Sequence, residues 1–322
     1  MVNDPVAHEK YEIRRIAIVG AGLIGASFGM AAEKARHGAS IVAYDKPEVL
    51  RKLRSLEPSW KTSEDLSSAV READLVYIAL PVGPTIQALP EIAGNCSANA
   101  LVTDAGSTKA QICEAANRSF AGQSDRRPRF LGGHPIAGKE LSGAEHADAG
   151  ILRGTKYALI GNASEQDRDP RVVHFVELLR GIGAEPVWID ADTHDWAMAV
   201  VSQMPQLVSI ALARVIADET DETGLPASLA GNGLRDMLRI AGSRYEMWRD
   251  ICLTNADNLS RSLDRTAQAI DFLRAHLKSQ ELAEEFRAAN DVYKSLGGMR
   301  EPSGADTIGA RRDDELKAAG NG

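Results

Sequence analysis

Cysteine is scarce in this chain, and basic charge is not in excess. Its three cysteines among 322 residues, Cys96, Cys113 and Cys252, are odd in number and widely spaced, which excludes a disulfide framework and a paired CxxC zinc site. A reducing compartment, the cytoplasm, is expected. Lys and Arg total 37 against 45 Asp and Glu, a net charge of −8, so the electrostatic footprint of a nucleic-acid binder is missing. No apolar run reaches the roughly 18 residues of a membrane span. The polar segment 1–13 lacks the apolar centre of a leader peptide. Neither nucleic acid nor a membrane is an expected partner.

What is present is an ordinary globular composition, 44 % hydrophobic and 25 % charged, in a chain long enough for two domains of about 150 residues each. A largely disordered chain, a collagen and a coiled-coil rod are excluded. Short β-branched runs at 16–19, 40–44, 75–80, 101–104, 130–133 and 157–160 alternate with amphipathic stretches at 23–34, 64–71 and 109–116. Such alternation predicts βαβ units, and the nearly continuous apolar character of the strands predicts a doubly wound parallel sheet covered on both faces, over residues 14–165. Beyond residue 165 the rhythm changes. One further strand, 186–189, precedes helical periodicity to about residue 297, so an all-α domain is expected over 166–298. Its helices include 195–219, which Pro205 should kink or open, and 246–279. The Gly-, Ala- and charge-rich segment 299–322 is expected to be disordered.

Strand 16–19 runs directly into Gly20-Ala21-Gly22-Leu23-Ile24-Gly25 and then a helix, the context in which GxGxxG binds a dinucleotide. Gly20 permits the tight turn, Gly22 lets the pyrophosphate approach the backbone, and Gly25 allows close packing of helix on strand. The phosphates then sit at the first turn, where Leu23 and Ile24 lie. The domain is thus read as Rossmann-like. Asp45 closes the second strand, 20 residues beyond Gly25, where a carboxylate accepts from the adenosine ribose and repels a 2′-phosphate. NAD is therefore expected over NADP, with the adjacent Lys46 as a cation that relaxes the preference. Pro81 ends a later strand at the ligand-binding edge and is equally consistent with a purely structural turn.

Two further segments carry chemistry. Asp104-Ala105-Gly106-Ser107-Thr108-Lys109 offers a hydroxyl, a carboxylate and an amine beside the expected nicotinamide, and Gly132-Gly133-His134-Pro135 sets one of seven histidines just after a strand. A loop histidine is often only a hydrogen-bonded surface residue; its place after a sheet strand, in the same half as Ser107, favours acid–base work for His134.

With these segments in view, the chain resembles the prephenate/arogenate dehydrogenases of tyrosine biosynthesis. The likeness rests on GAGLIGAS at 20–27, DAGSTK at 104–109 and GGHPIAGKELSG at 132–143. It continues with THDWAMAVVSQMP at 193–205 and GLRDMLRIAGSRYEMWRDI at 233–251. The resemblance implies that a hydride passes from C4 of a 4-hydroxycyclohexadienyl ring to NAD(P)⁺ as the ring carboxylate leaves as CO₂. It implies that His134 hydrogen-bonds the 4-hydroxyl, that Ser107 assists it, and that Arg239 grips a substrate carboxylate. It also implies a homodimer built from the helical domain. Activity should then fall on the acid side of the His134 pKa, within pH 5 to 8.

The chain departs from that pattern at Ser202-Gln203-Met204-Pro205-Gln206, where many members carry His-x-Pro-His. Ser202 and Gln206 are candidate substrate contacts, and a neutral Gln206 leaves the choice between prephenate and arogenate open. Periodicity ends near Lys294, so no C-terminal regulatory domain is expected. A hydroxy-acid or imine dehydrogenase of similar architecture is a weaker reading, because the acid–base lysine of many hydroxy-acid enzymes has no counterpart between Asp195 and Asp221. A non-catalytic NAD sensor would not need Ser107, His134 and Arg239 together.

Overall fold

The computed structural model describes residues 11–35, 39–56, 59–121, 127–138, 141–162, 169–220 and 224–297. The segment 299–322, expected to be disordered, lies outside them, as do residues 1–10 of the polar N-terminal stretch. The chain divides into two compact units, 1–263 and 264–322.

Six strands of the first unit form one parallel sheet: β1 (Arg15–Val19), β2 (Ser40–Tyr44), β3 (Lys61–Ser63), β4 (Leu75–Ile78), β5 (Leu101–Asp104) and β6 (Arg129–Leu131). Their order is β3-β2-β1-β4-β5-β6, so the strand order reverses between β1 and β4, and that crevice is where ligands bind in doubly wound folds. Side chains alternate across the sheet, so a strand covered on both faces must be apolar at every position. Ile16, Ile18, Leu75 and Tyr77 enter one core with Phe28 and Phe175, while Ala17, Val19, Val76 and Ile78 enter the other with Leu89 and Ile92.

Helices α1 (Leu23–Ala35), α2 (Pro47–Arg54), α3 (Leu66–Val70), α4 (Val82–Asn95) and α5 (Ala110–Ser119) connect these strands. The expected strand 130–133 is two strands. After Leu131 the chain leaves the parallel sheet, and β7 (Gly133–Pro135) pairs antiparallel with β8 (Lys156–Ile160), which pairs in parallel with β9 (Glu185–Ile189). The change of rhythm at residue 165 is therefore not where the sheets end. Between β8 and β9 lies α6 (Pro170–Gly181), capped by Asp169, whose carboxylate accepts from Arg171 N–H at 2.9 Å. Its Val172 and Phe175 pack into the core beside Phe28.

Helices follow: α7 (Ala191–Met198), α8 (Met204–Glu219), α9 (Leu225–Ser228), α10 (Asn232–Leu238), α11 (Tyr245–Thr254), α12 (Ala256–Ala275) and α13 (Glu281–Ser295). Between α7 and α8 the residues Ala199–Gln203 form a π-turn, the opening expected at Pro205, because a proline lacks the N–H of the tighter ladder and its ring crowds the carbonyl four residues back. The single helix expected over 246–279 is interrupted at Asn255, whose side chain turns to bond the α7–α8 segment. The run Ala191–Glu219 spans 29 residues and, by length and composition alone, is apolar enough to cross a membrane, contrary to the sequence expectation. Four of its polar side chains, His194, Asp195, Gln203 and Gln206, are nonetheless buried and bonded within the first unit. The second unit, as described, is the end of α12 followed by α13, with Phe272, Leu277, Phe286 and Leu296 exposed.

Candidate active site

At the end of β1 the chain turns through Gly20 with φ +97°, and a Cβ there would lie 2.7 Å from the Ala79 carbonyl. Only glycine fits that turn. A Cβ at Gly25 would stand 1.9 Å from the Gly20 oxygen, whereas nothing lies within 4 Å of the position of a Cβ on Gly22. Open space over Gly22, beside the unpaired N–H groups of the first turn of α1 where Leu23 and Ile24 sit, is what a pyrophosphate needs. The residues present thus fit a dinucleotide. Asp45 follows β2, and its Oδ2 accepts from Ala21 N–H and its Oδ1 from Lys46 N–H, both at 2.7 Å. Burial pushes this carboxyl above its ordinary value, against the opposing effect of those hydrogen bonds. Its position is fixed by the glycine turn itself.

The loop after β5 carries Ser107, half-buried. The carboxylate and amine that flank it in sequence are not available to a ligand: Asp104 and Lys109 are both fully buried and form an ion pair with each other. Asp104 also accepts from Gly106 N–H at 2.9 Å and Gly133 N–H at 3.1 Å, and Lys109 Nζ donates to the Gly133 carbonyl at 2.7 Å. One buried pair therefore ties the Ser107 loop to the residue before His134. Of the three groups expected beside the nicotinamide, the hydroxyl remains.

His134 sits on β7, with Nδ1 2.9 Å from Nε2 of His194 on α7. His194 Nδ1 lies 2.8 Å from Oδ1 of Asp195. Asp195 in turn accepts at the start of α5, from Lys109 N–H at 2.7 Å and Ala110 N–H at 2.9 Å. His194 and Asp195 stand in the THDWAMAVVSQMP segment that carried the resemblance, but no role was assigned to them; the adjacent His-Asp pair near the start of the helix that follows a strand was the available signal. Asn255, at the break between α11 and α12, donates to the Asp195 carbonyl at 2.7 Å and to Gln203 Oε1 at 2.8 Å. Gln203 belongs to this buried network.

Gln206 is buried too, but its amide is engaged: Nε2 donates to the Ile240 carbonyl at 2.8 Å, and Ser243 Oγ approaches Oε1 at 3.5 Å. Gln206 thereby holds the 3-10 turn Arg239–Gly242, at whose head the exposed Arg239 stands. Ser202, on the π-turn, is exposed. The helical segment is clasped onto the sheet edge by Asp250, which accepts from Gly83 N–H at 2.9 Å at the start of α4, and by a 2.8 Å bond between the Thr108 and Thr254 hydroxyls.

Burial, then the His194 ring and the Lys109 ammonium, hold the His134 pKa well below 6.5. An acid limb of activity set by this group would thus lie below the range expected from an ordinary imidazole. The unfolded chain binds a proton here that the folded chain refuses, so stability is lost as pH falls below 6.5, by up to about 1.4 kcal/mol per pH unit. Urea denaturation between pH 7 and 5 should show this slope in the native sequence and a smaller one in His134→Asn.

A doubly wound sheet with a pyrophosphate cradle at its first turn, and a half-buried imidazole on the strand tied to the loop after β5, backed by helices, define a nucleotide-dependent dehydrogenase. Family models agree along the chain: residues 29–187 match the prephenate dehydrogenase nucleotide-binding domain and residues 190–289 the prephenate dehydrogenase dimerization domain. The two matches meet at the end of β9, in keeping with the packing of α6 and β9. The prephenate dehydrogenase of Lactococcus lactis is 33 % identical over 268 residues, 80 % of this chain and 72 % of that protein. The structure of the Aquifex aeolicus prephenate dehydrogenase with hydroxyphenyl propionate and NAD⁺ has a TM-score of 0.79 at 25 % identity, over 88 % of this chain and 99 % of that one. Synechocystis arogenate dehydrogenase gives 0.71 at 26 % identity, over 88 % and 99 %. The chain belongs to the prephenate dehydrogenase family.

Proposed function

We propose that this enzyme converts prephenate and NAD⁺ to 4-hydroxyphenylpyruvate, CO₂ and NADH. The observation that carries the reading is His134, half-buried, held neutral and fixed on one ring nitrogen, on the strand that the Asp104–Lys109 pair ties to the Ser107 loop. When bound, NAD⁺ supplies the acceptor for the hydride that leaves C4. The protein's part is to hold and polarise. A neutral His134 accepts a hydrogen bond from the 4-hydroxyl and strengthens it as positive charge develops at C4, and Ser107 orients that hydroxyl. Arg239 meets a substrate carboxylate with a fork that lysine would not reproduce. Ser202, on the π-turn ahead of α8, serves the side-chain end of the substrate, and Gln206 acts by holding the Arg239 turn. Domain limits follow the same division, a nucleotide domain to about residue 189 and a helical domain beyond it.

Arogenate is the second reading. It is supported by the likeness to Synechocystis arogenate dehydrogenase, and Ser202, the residue given to that end of the substrate, carries no charge by which an amino acid and a keto acid would be told apart. Absorbance at the NADH band, with NAD⁺ or NADP⁺ and prephenate or arogenate in separate cuvettes, tests both readings. Reduction of NAD⁺ with prephenate is expected; no reduction with either diene overturns the reading.

Asp45 makes the cofactor choice testable on its own. Its carboxylate is pinned where a 2′-phosphate would have to enter, so Asp45→Asn should narrow the kcat/KM preference for NAD⁺ over NADP⁺ by about tenfold, or about 1.4 kcal/mol. An unchanged ratio would remove Asp45 from cofactor selection. The exposed Trp196, Val201 and Val215 on the α7–α8 run, with Tyr245 and Leu253 on α11, support a homodimer, and the three free cysteines fit a reducing compartment, the cytoplasm. Sedimentation is expected to give twice the 34.6 kDa chain mass.

A further inference from the structure

The mechanism requires His134 to present a bare nitrogen to the substrate, and the buried contacts behind it determine which nitrogen that is. Asp195 is only 3 % exposed. Its two oxygens already take backbone N–H groups at the first turn of the ten-residue helix α5, a position that favours a carboxylate. A carboxylate has no proton to give, so the 2.8 Å contact to His194 Nδ1 must be donated by the imidazole.

A neutral His194 with its proton on Nδ1 has a bare Nε2. That atom lies 2.9 Å from His134 Nδ1, so His134 Nδ1 must carry the hydrogen and donate. The remaining nitrogen, His134 Nε2, is then unprotonated. We propose that His194 and Asp195 are positioning residues, a buried pair that sets the tautomer of His134 so that Nε2 is the acceptor for the substrate hydroxyl. The proposal rests on the reading of His134 as that acceptor.

The arrangement assigns each neighbour a part. Asp195 orients His194, and its own position is set by the N-terminus of α5 and by Asn255, which bonds its carbonyl. Charge developing on His134 in the transition state is shared through His194 toward a fixed anion. The Lys109 ammonium is balanced by Asp104, so Asp195 is the anion left to face the two rings. Had His194 been doubly protonated against Asp195, the relation would invert: its Nε2–H would donate, His134 Nδ1 would be bare and His134 Nε2–H would point at the substrate as a donor.

The two arrangements differ in an observable that does not need turnover. Long-range ¹H–¹⁵N correlation of the histidine rings in the ¹⁵N-labelled, ligand-free protein, with His134 assigned by its loss in His134→Asn, reads which nitrogen carries the proton. Nδ1–H on His134 is expected in the native sequence; Nε2–H overturns the proposal. In His194→Phe the acceptor is gone, and the His134 ring should become a mixture of tautomers. kcat should then fall about 10- to 100-fold while the KM for NAD⁺ stays within about twofold. In His194→Gln an amide can keep both contacts in the same polarity, its oxygen toward His134 and its nitrogen toward Asp195, so the tautomer and most of kcat should return. His194→Phe that folds, keeps Nδ1–H on His134 and keeps its kcat overturns the proposal, as does a His194→Gln that folds but recovers neither. Failure of the enzyme to consume either diene would instead defeat the functional reading, and the spectra would still report the tautomer.

Discussion

His134→Asn should lower kcat for prephenate by about 10² to 10⁴, or about 3 to 5 kcal/mol in the activation barrier, while NAD⁺ binding measured by calorimetry stays within about twofold. The magnitude follows from what is removed and what is kept. The asparagine amide can still donate to His194, so the buried partner is not orphaned, but it ends well short of where Nε2 stood and offers no basic nitrogen. The loss is therefore concentrated in the transition state, where the 4-hydroxyl becomes acidic as hydride departs, and it should appear equally in kcat and kcat/KM. The cofactor cradle lies on another loop, at Gly20 to Gly25 and Asp45, and is untouched. Because the variant removes a half-buried group that resists protonation, its loss of stability from pH 7 to pH 5 should also be smaller than that of the native sequence. A kcat within about threefold of native would overturn the role assigned to His134.

How much of this could be read beforehand depended on whether the signal was local. Strands β1 and β4 were legible because each is buried on both faces over a nearly continuous apolar run, β2 and β5 because their apolar positions stand between amphipathic stretches, and the glycine turn was legible because Gly20 and Gly25 answer to backbone contacts that no other residue satisfies. Helix α6 was missed although Asp169-Pro170 is a capping signal: its apolar positions read as part of a new domain, and only Phe175 against Phe28 shows otherwise. His134 was found from its place after a strand. His194 was not, since its meaning lies in a contact across 60 residues of chain. Asp104 and Lys109 were seen as chemistry facing a ligand, when their complete burial makes them each other's counter-ion. Gln206 was weighed as a free amide, and its bond to the Ile240 carbonyl is a tertiary fact with no trace in the sequence.

That buried ion pair carries the second large effect. Lys109→Met should destabilise the protein by about 3 to 5 kcal/mol, because it leaves the fully buried Asp104 carboxylate without its cation. Against a total stability of about 5 to 15 kcal/mol, such a loss moves the urea midpoint far down with little change in slope. The two backbone N–H groups that Asp104 holds, from Gly106 and Gly133, do not replace a full charge. Asp104→Asn alone strands the ammonium in the same way, leaving the Gly133 carbonyl as its named acceptor. The double variant Lys109→Met with Asp104→Asn removes both charges and lets the asparagine oxygen keep accepting from the loop. It should therefore be more stable than the sum of the single losses by about 2 kcal/mol or more. Because the pair joins the Ser107 loop to the residue before His134, the double variant should regain stability without regaining full kcat. A Lys109→Met variant within about 0.5 kcal/mol of native, or strict additivity in the cycle, would show that the pair is not what holds these two segments together.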